Sequence, residues 1–266
     1  MAGQKSNRPH LPQLPVLAQR EALGSALRNG HTVLTAEPGS GKTTLVPLVL
    51  RDAPWLGGRK ILILEPRRPA ARMAAYRMAA LLGEDVGQSV GYRVRFDTRV
   101  SSATRIEVVT EGLYLRRLQA DPELNGVGLV IFDEFHERNL VGDIALALSM
   151  DASNLRDDLR LLVMSASLDA RPVAQLLRAS WVQAPGSLHE VTIRYANQDA
   201  ELNDPVPACV RLLEQALADA GGDVLVFLPG RREIERMRAT AEQRLAEGID
   251  ILTLYGEMPA AQQDAV

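Results

Sequence analysis

The 266 residues carry 30 Lys+Arg against 33 Asp+Glu, a net charge of −3, and 46% of them are hydrophobic. That length leaves room for one large domain or two smaller ones, and the charge excludes a basic nucleic-acid coat, though not nucleic acid held in a local cleft. The single cysteine, Cys209, excludes an internal disulfide framework and fits a reducing compartment. No apolar stretch approaches the ~20 residues of a membrane span, and the N-terminus lacks a signal-peptide core. A cytoplasmic, soluble, monomeric protein with no membrane partner is the expectation.

Residues 1–15 are polar and Pro-rich and are expected to be loosely ordered. A helix is expected over about 16–29, then a strand at Thr32–Ala36, a Gly-rich turn, and a helix from about Lys42. The strand Lys60–Glu65 and the helix Ala70–Leu82 come next, followed by strands at about Ser89–Val94 and Arg105–Thr110. A helix covers about Glu111–Ala120, and the apolar run Gly128–Phe132 leads into Asp133-Glu134-Phe135-His136. A helix near Leu140–Leu148 and the strand Leu159–Met164 complete the series. Strands alternating with helices indicate a parallel α/β sheet. Ala184-Pro185-Gly186-Ser187 signals a linker. Beyond it, strands are expected at Glu190–Tyr195, Asp223–Leu228 and Ile249–Leu254, with helices at Val206–Ala218 and Arg231–Leu245. The expected organisation is a first domain over 16–184 and part of a second over 185–266.

Two segments carry chemistry. Two adjacent carboxylates, Asp133 and Glu134, end a strand buried on both faces, where desolvating them is costly unless a cation or a reaction uses them. Gly39-Ser40-Gly41-Lys42-Thr43-Thr44 offers that use, because it can hold a triphosphate and its magnesium. It fits the G-x-x-x-x-G-K-[ST] pattern, except that Ala36 stands at the first glycine. Gly39 and Gly41 let backbone N–H groups turn toward phosphate oxygens, and the helix start adds partial positive charge. Lys42 would bridge the β- and γ-phosphates, Thr43 would place its hydroxyl on Mg2+, and Thr44 would bond an inner phosphate. Glu37 and Pro38 belong to the same ATP-binding turn. The basic residues are nearly all arginine and the only lysines are Lys5, Lys42 and Lys60, so a lysine here is a departure from habit; a P-loop needs a compact point charge. Asp133 would bind the metal and Glu134 would orient and deprotonate the attacking water. His136 either links the γ-phosphate region to a neighbouring strand end or satisfies a local hydrogen bond.

The order of these segments, with Ser165-Ala166-Ser167 after them, resembles superfamily 2 helicases. Within these it is most similar to the DEAH/RHA group, whose acidic motif usually has Ala where Phe135 stands, and to that group's bacterial HrpB-type branch. Glu65-Pro66-Arg67-Arg68 looks like motif Ia and Gly91-Tyr92-Arg93-Val94-Arg95-Phe96 like a G-Y-x-x-R-F segment. Thr110-Glu111-Gly112 with Leu115-Arg116 looks like motif Ib, and Val224–Ile234 like motif IV of a second RecA-like domain. The resemblance covers about residues 15–266. It implies a RecA-like P-loop domain followed by part of a second one, and ATP-dependent movement along single-stranded RNA.

Residue by residue, the resemblance places Arg67, Arg68 and Thr110 on the RNA backbone, where contacts position the strand without reading sequence. Arg93 and Arg95 are further RNA candidates, or a solvated strand face. Arg77 matches an arginine that stacks on adenine, or is an ordinary helix-surface arginine. Ser165, Ala166 and Ser167 match motif III, which couples ATP state to the acidic motif. Motifs V and VI, the latter with its arginine fingers, would follow only after Val266. A chain cut off before them is therefore expected, weak in nucleotide binding and unable to unwind a duplex. On the residues alone two rivals stay open: another P-loop ATPase such as a DNA translocase, and a module that binds nucleotide or RNA without turnover.

Overall fold

The structure is a computed structural model that describes residues 11–166, 169–185, 191–196, 204–219, 222–245 and 248–263. The chain divides into two compact units, Met1–His189 and Glu190–Val266. In the first unit the strands are β1 (Thr32–Ala36), β2 (Lys60–Glu65), β3 (Val90–Val94), β4 (Asp97–Arg99), β5 (Ile106–Thr110), β6 (Val127–Phe132), β7 (Arg160–Ser165) and β8 (Ser180–Ala184). The helices are α1 (Arg20–Asn29), α2 (Lys42–Leu50), α3 (Arg68–Leu82), α4 (Glu111–Ala120), α5 (Leu140–Asn154) and α6 (Ala170–Leu177). The strands form one sheet in the order β4-β3-β5-β2-β6-β7-β1-β8. Every pairing is parallel except β3 with β4, a tight hairpin turning at Arg95-Phe96.

Period-two alternation sends successive residues of one strand into two different cores. Ile61, Ile63, Leu129, Ile131, Leu162 and Met164 pack on the side of α1, α2 and α3. Leu62, Leu64, Val130, Phe132, Leu161 and Val163 pack on the side of α4, α5 and α6. β1 and β6 are buried along their whole length. That explains the unbroken apolar run of β6 and why β1 admits only the small polar side chains Thr32 and Thr35, since a parallel sheet covered on both faces leaves no position for water.

Three differences from the sequence expectation have physical causes. First, residues 11–15 are not loose: Leu11 and Leu14 pack against the core, and Pro15–Gln19 forms a 3-10 turn before α1. Residues 1–10 lie outside the described residues. Second, α6 and β8 were unanticipated, because β8 exposes Ser180, Trp181 and Gln183 and so lacks the apolar run of a central strand. Third, in the second unit the segments 191–196, 223–228 and 249–254 carry no strand assignment. Alternation belongs to one segment, but a ladder belongs to a hydrogen-bonded pair. The alternation is there: Val226 and Leu228 pack on Val206, Val210 and Met237 of the helices α7 (Val206–Asp219) and α8 (Arg231–Arg244). Leu225 and Phe227, on the other side, are exposed.

Candidate active site

The turn after β1 is built for close approach. Gly39 has φ +76° and Gly41 φ +88°, the left-handed region that favours glycine. A Cβ on Gly41 would stand 2.9 Å from Leu14 Cδ1 and 3.0 Å from Leu45 Cδ1, so bulk is excluded as well. Three backbone hydrogen bonds fix the turn. The Ser40 N–H donates to the Glu37 carbonyl (3.2 Å), the Val16 N–H to the Ser40 carbonyl (3.2 Å) and the Leu45 N–H to the Gly41 carbonyl (2.8 Å). The N–H groups of Lys42, Thr43 and Thr44, at the open end of α2, have no backbone acceptor among the described residues. Ser40 is buried with its Oγ unpartnered, and Lys42 is 6% exposed. A buried lysine, an orphaned hydroxyl and unpaired amides at a helix start together suit a polyanion.

Opposite this turn, Asp133 follows directly on β6. The Glu134 N–H donates to Asp133 Oδ1 (2.8 Å), and the Thr43 hydroxyl also holds this carboxylate. Asp133 Oδ2 is buried with no partner. Among the described residues no cluster of three His, Cys, Asp or Glu side chains could form a protein-only metal cage. One hydroxyl beside one carboxylate with a spare oxygen nevertheless fits Mg2+, which takes few protein ligands and completes its shell with phosphate and water. Glu134 sits in the left-handed region (φ 49°), a conformation that costs about 1–2 kcal/mol for a residue with a Cβ. This conformation aims the side chain at Lys42, with Oε1 3.2 Å from Nζ. His136 Nδ1 stands 3.3 Å from Glu134 Oε2 and 3.5 Å from the Ala166 amide nitrogen. Protonated, Nδ1 donates to Glu134; unprotonated, it accepts from Ala166 at the end of β7.

Glu65, at the end of β2, is a residue that sequence reasoning missed. It is 3% exposed and in hydrogen-bond contact with Asp133. Burial first, then the neighbouring Asp133 charge, pushes its carboxyl well above the usual range. Burial, the largest cause, raises the Asp133 carboxyl as well, against the Thr43 hydroxyl, the Glu134 N–H and the Lys42 charge, so neither carboxyl ionises freely beside the other. The available signal was positional: Glu65 follows an apolar run, as Asp133 does, and the two strands are neighbours.

The remaining predicted residues line the same edge of the sheet. Glu65 pairs with Thr110 and Val109 with Arg93 across β2, β5 and β3, which brings Arg67, Thr110 and Arg93 together at the strand ends. Arg67 is exposed and pairs with Glu137 at 3.0 Å. Arg93 is tied to the buried Glu107 at 2.8 Å, an anchor shared with Arg117. Arg95 lies 4.7 Å from the centre of the Phe96 ring at the hairpin tip. Arg68 opens α3 and Arg77 lies farther along it; both are exposed. Ser165 is buried beside Thr35 of β1, while Ser167 lies outside the described residues. Among the described residues, no helix is long and apolar enough to cross a membrane.

A P-loop facing a strand-end carboxylate pair on a parallel sheet defines a RecA-like nucleoside-triphosphatase fold. The chain belongs to the DEAD/DEAH box helicase family, whose model matches residues 17–176. It is 44% identical over 256 residues to the ATP-dependent RNA helicase HrpB of Escherichia coli (strain K12), covering 95% of this chain and 31% of that protein. A crystal structure of the Escherichia coli DEAH/RHA helicase HrpB superposes with a TM-score of 0.86 at 43% identity, covering 95% of this chain and 32% of that one. A crystal structure of the E. coli DExH-box NTPase HrpB gives a TM-score of 0.76 at 43% identity, covering 97% and 32%. The chain thus spans about a third of the length of the relatives it matches.

Proposed function

We propose that this chain supplies the Mg-ATP site and part of the RNA track of an ATP-dependent RNA helicase of the DEAH/RHA type. One observation carries the reading: along the carboxyl edge of one sheet, two sets of residues occupy adjacent blocks of strands. Arg93, Thr110 and Arg67 lie at the carboxyl ends of β3, β5 and β2; Asp133, Ser165 and the P-loop lie at those of β6, β7 and β1. The blocks meet at two contacts, Glu65 with Asp133 and Arg67 with Glu137. In this reading the P-loop amides and Lys42 hold the triphosphate. Thr43 and Asp133 would hold Mg2+, which would supply positive charge beside the phosphates. Glu134, released from Lys42 by phosphate, orients the water and takes its proton. His136 passes the state of Glu134 to β7 through Ala166. Arg67, Arg68, Thr110, Arg93 and Arg95 bear on RNA phosphates, and Arg77 bears on adenine.

The test is anisotropy of a labelled single-stranded RNA and of a DNA of equal length, over a range of salt. RNA is expected to bind more tightly, with an affinity that falls as salt rises and is weakened by Arg67→Ala. Equal or tighter binding of DNA would replace this reading with that of a DNA translocase.

A further inference from the structure

We infer that the segment Leu14–Leu17 is a brace that sets the phosphate-binding geometry of the P-loop, with Leu14 and Val16 as positioning residues. The inference rests on the nucleotide reading above. In a trans peptide the C=O and N–H point in opposite directions. The peptide joining Ser40 to Gly41 offers its carbonyl to the Val16 N–H at 3.2 Å. The Gly41 N–H is therefore aimed the other way, to the side where Lys42 and the open amides of α2 converge. Without Val16 this peptide could flip at low cost, because the flip changes only ψ of Ser40 and φ of Gly41, and glycine accepts either sign of φ.

Leu14 restrains the same peptide by packing. Its Cδ1 and Cβ lie 2.9 and 3.3 Å from where a Gly41 Cβ would be, so the side chain fills the space that glycine leaves open. Val16 is 3% exposed, and the 3-10 turn that carries it packs on both α2 and β8. The brace is therefore anchored to the sheet rather than lying on the loop. Its contacts with the loop are the Ser40 carbonyl and the space beside Gly41, so it acts through that peptide.

The test compares Mg-ATP dissociation constants of the unmodified chain, Leu14→Ala and Leu14→Met, well below their melting temperatures, with Lys42→Ala alongside. Leu14→Ala is expected to weaken binding about three- to tenfold, the worth of one hydrogen bond, and Leu14→Met, which keeps the packing, to bind like the unmodified chain. In the unmodified chain Mg-ATP should also slow hydrogen exchange of the Val16 amide, because phosphate on the Gly41 N–H fixes the peptide whose carbonyl Val16 holds. Unchanged affinity in folded Leu14→Ala would overturn the inference. So would Val16 exchange that ignores nucleotide, a result that stands even if Leu14→Ala does not fold. If Lys42→Ala binds normally as well, the nucleotide reading itself has failed; if Lys42→Ala alone loses binding, only the brace has.

Discussion

Replacing Phe135 by alanine, the residue usual at this position in the motif it resembles, should cost this chain about 3 kcal/mol. The ring is 8% exposed. It stands edge-on to Phe132 (6.4 Å between centroids, 83° between planes), which is itself edge-on to Tyr114 (6.4 Å, 82°). Truncating a buried Phe to Ala removes about 3–5 kcal/mol. The low end applies because Phe135 sits at the rim of its core, where neighbours can partly collapse. The Arg138 guanidinium, 5.4 Å from the ring centre, adds at most about 1 kcal/mol, since it is half-exposed. Tryptophan fluorescence during urea unfolding reads the effect cleanly, because Trp55 and Trp181 are the chain's only tryptophans and both lie in the first unit. The loss should be accompanied by weaker catalysis, since the Phe135 turn carries Glu134 and His136. A change under about 1 kcal/mol would show that polar contacts alone hold the acidic loop, and that the aromatic stack is incidental.

Three further outcomes follow from the geometry. His31 accepts the Leu161 N–H on Nδ1 (3.2 Å) and meets Ser153 Oγ through Nε2 (3.3 Å), and burial, then Arg160, lowers its pKa. The unfolded state therefore takes up the proton first, so stability should be level above pH ~6.5 and fall below it; His31→Asn should flatten that slope in melts at pH 5 to 8. Glu134→Gln should retain Mg-ATP affinity yet lower turnover by about 10²–10⁴ in a quenched-flow measurement; unchanged turnover with Asp133→Asn inactive would reverse the two roles. Amides beyond about residue 190 should exchange faster than those of the central sheet, because the core there is a small cluster around Val206, Val210 and Met237; equal protection would mean that the second unit is as cooperative as the first.

The sequence made the central strands legible because burial on both faces leaves no ambiguity: Val127–Phe132 can be little else, and the two chemical segments sit at strand ends, where a parallel sheet exposes them. What was not legible depends on pairs rather than segments. β8 is an edge strand whose alternation is mostly polar, so nothing in it marks a partner. The segments 223–228 and 249–254 have the alternation of strands, yet alternation does not supply a ladder. The packing of Leu14 and Val16 on the P-loop was hidden by a Pro-rich composition that suggests looseness. Glu65 was hidden because its significance comes from β6, 68 positions away at Asp133, and only the sheet order brings them together. The Lys42–Glu134 pair was implied by the motifs, but the left-handed Glu134 backbone that makes it possible is not written in residue type.

The most direct test of the central claim, that the β1 and β6 strand ends form one Mg-ATP site, is calorimetric titration of the chain and of Lys42→Ala with Mg-ATP. Removing a buried ammonium that makes charge-assisted contacts, each worth roughly 1.5–3 kcal/mol, should weaken binding on the order of ten- to a hundredfold. Equal affinities for the two proteins would show that the nucleotide, if bound at all, is held elsewhere.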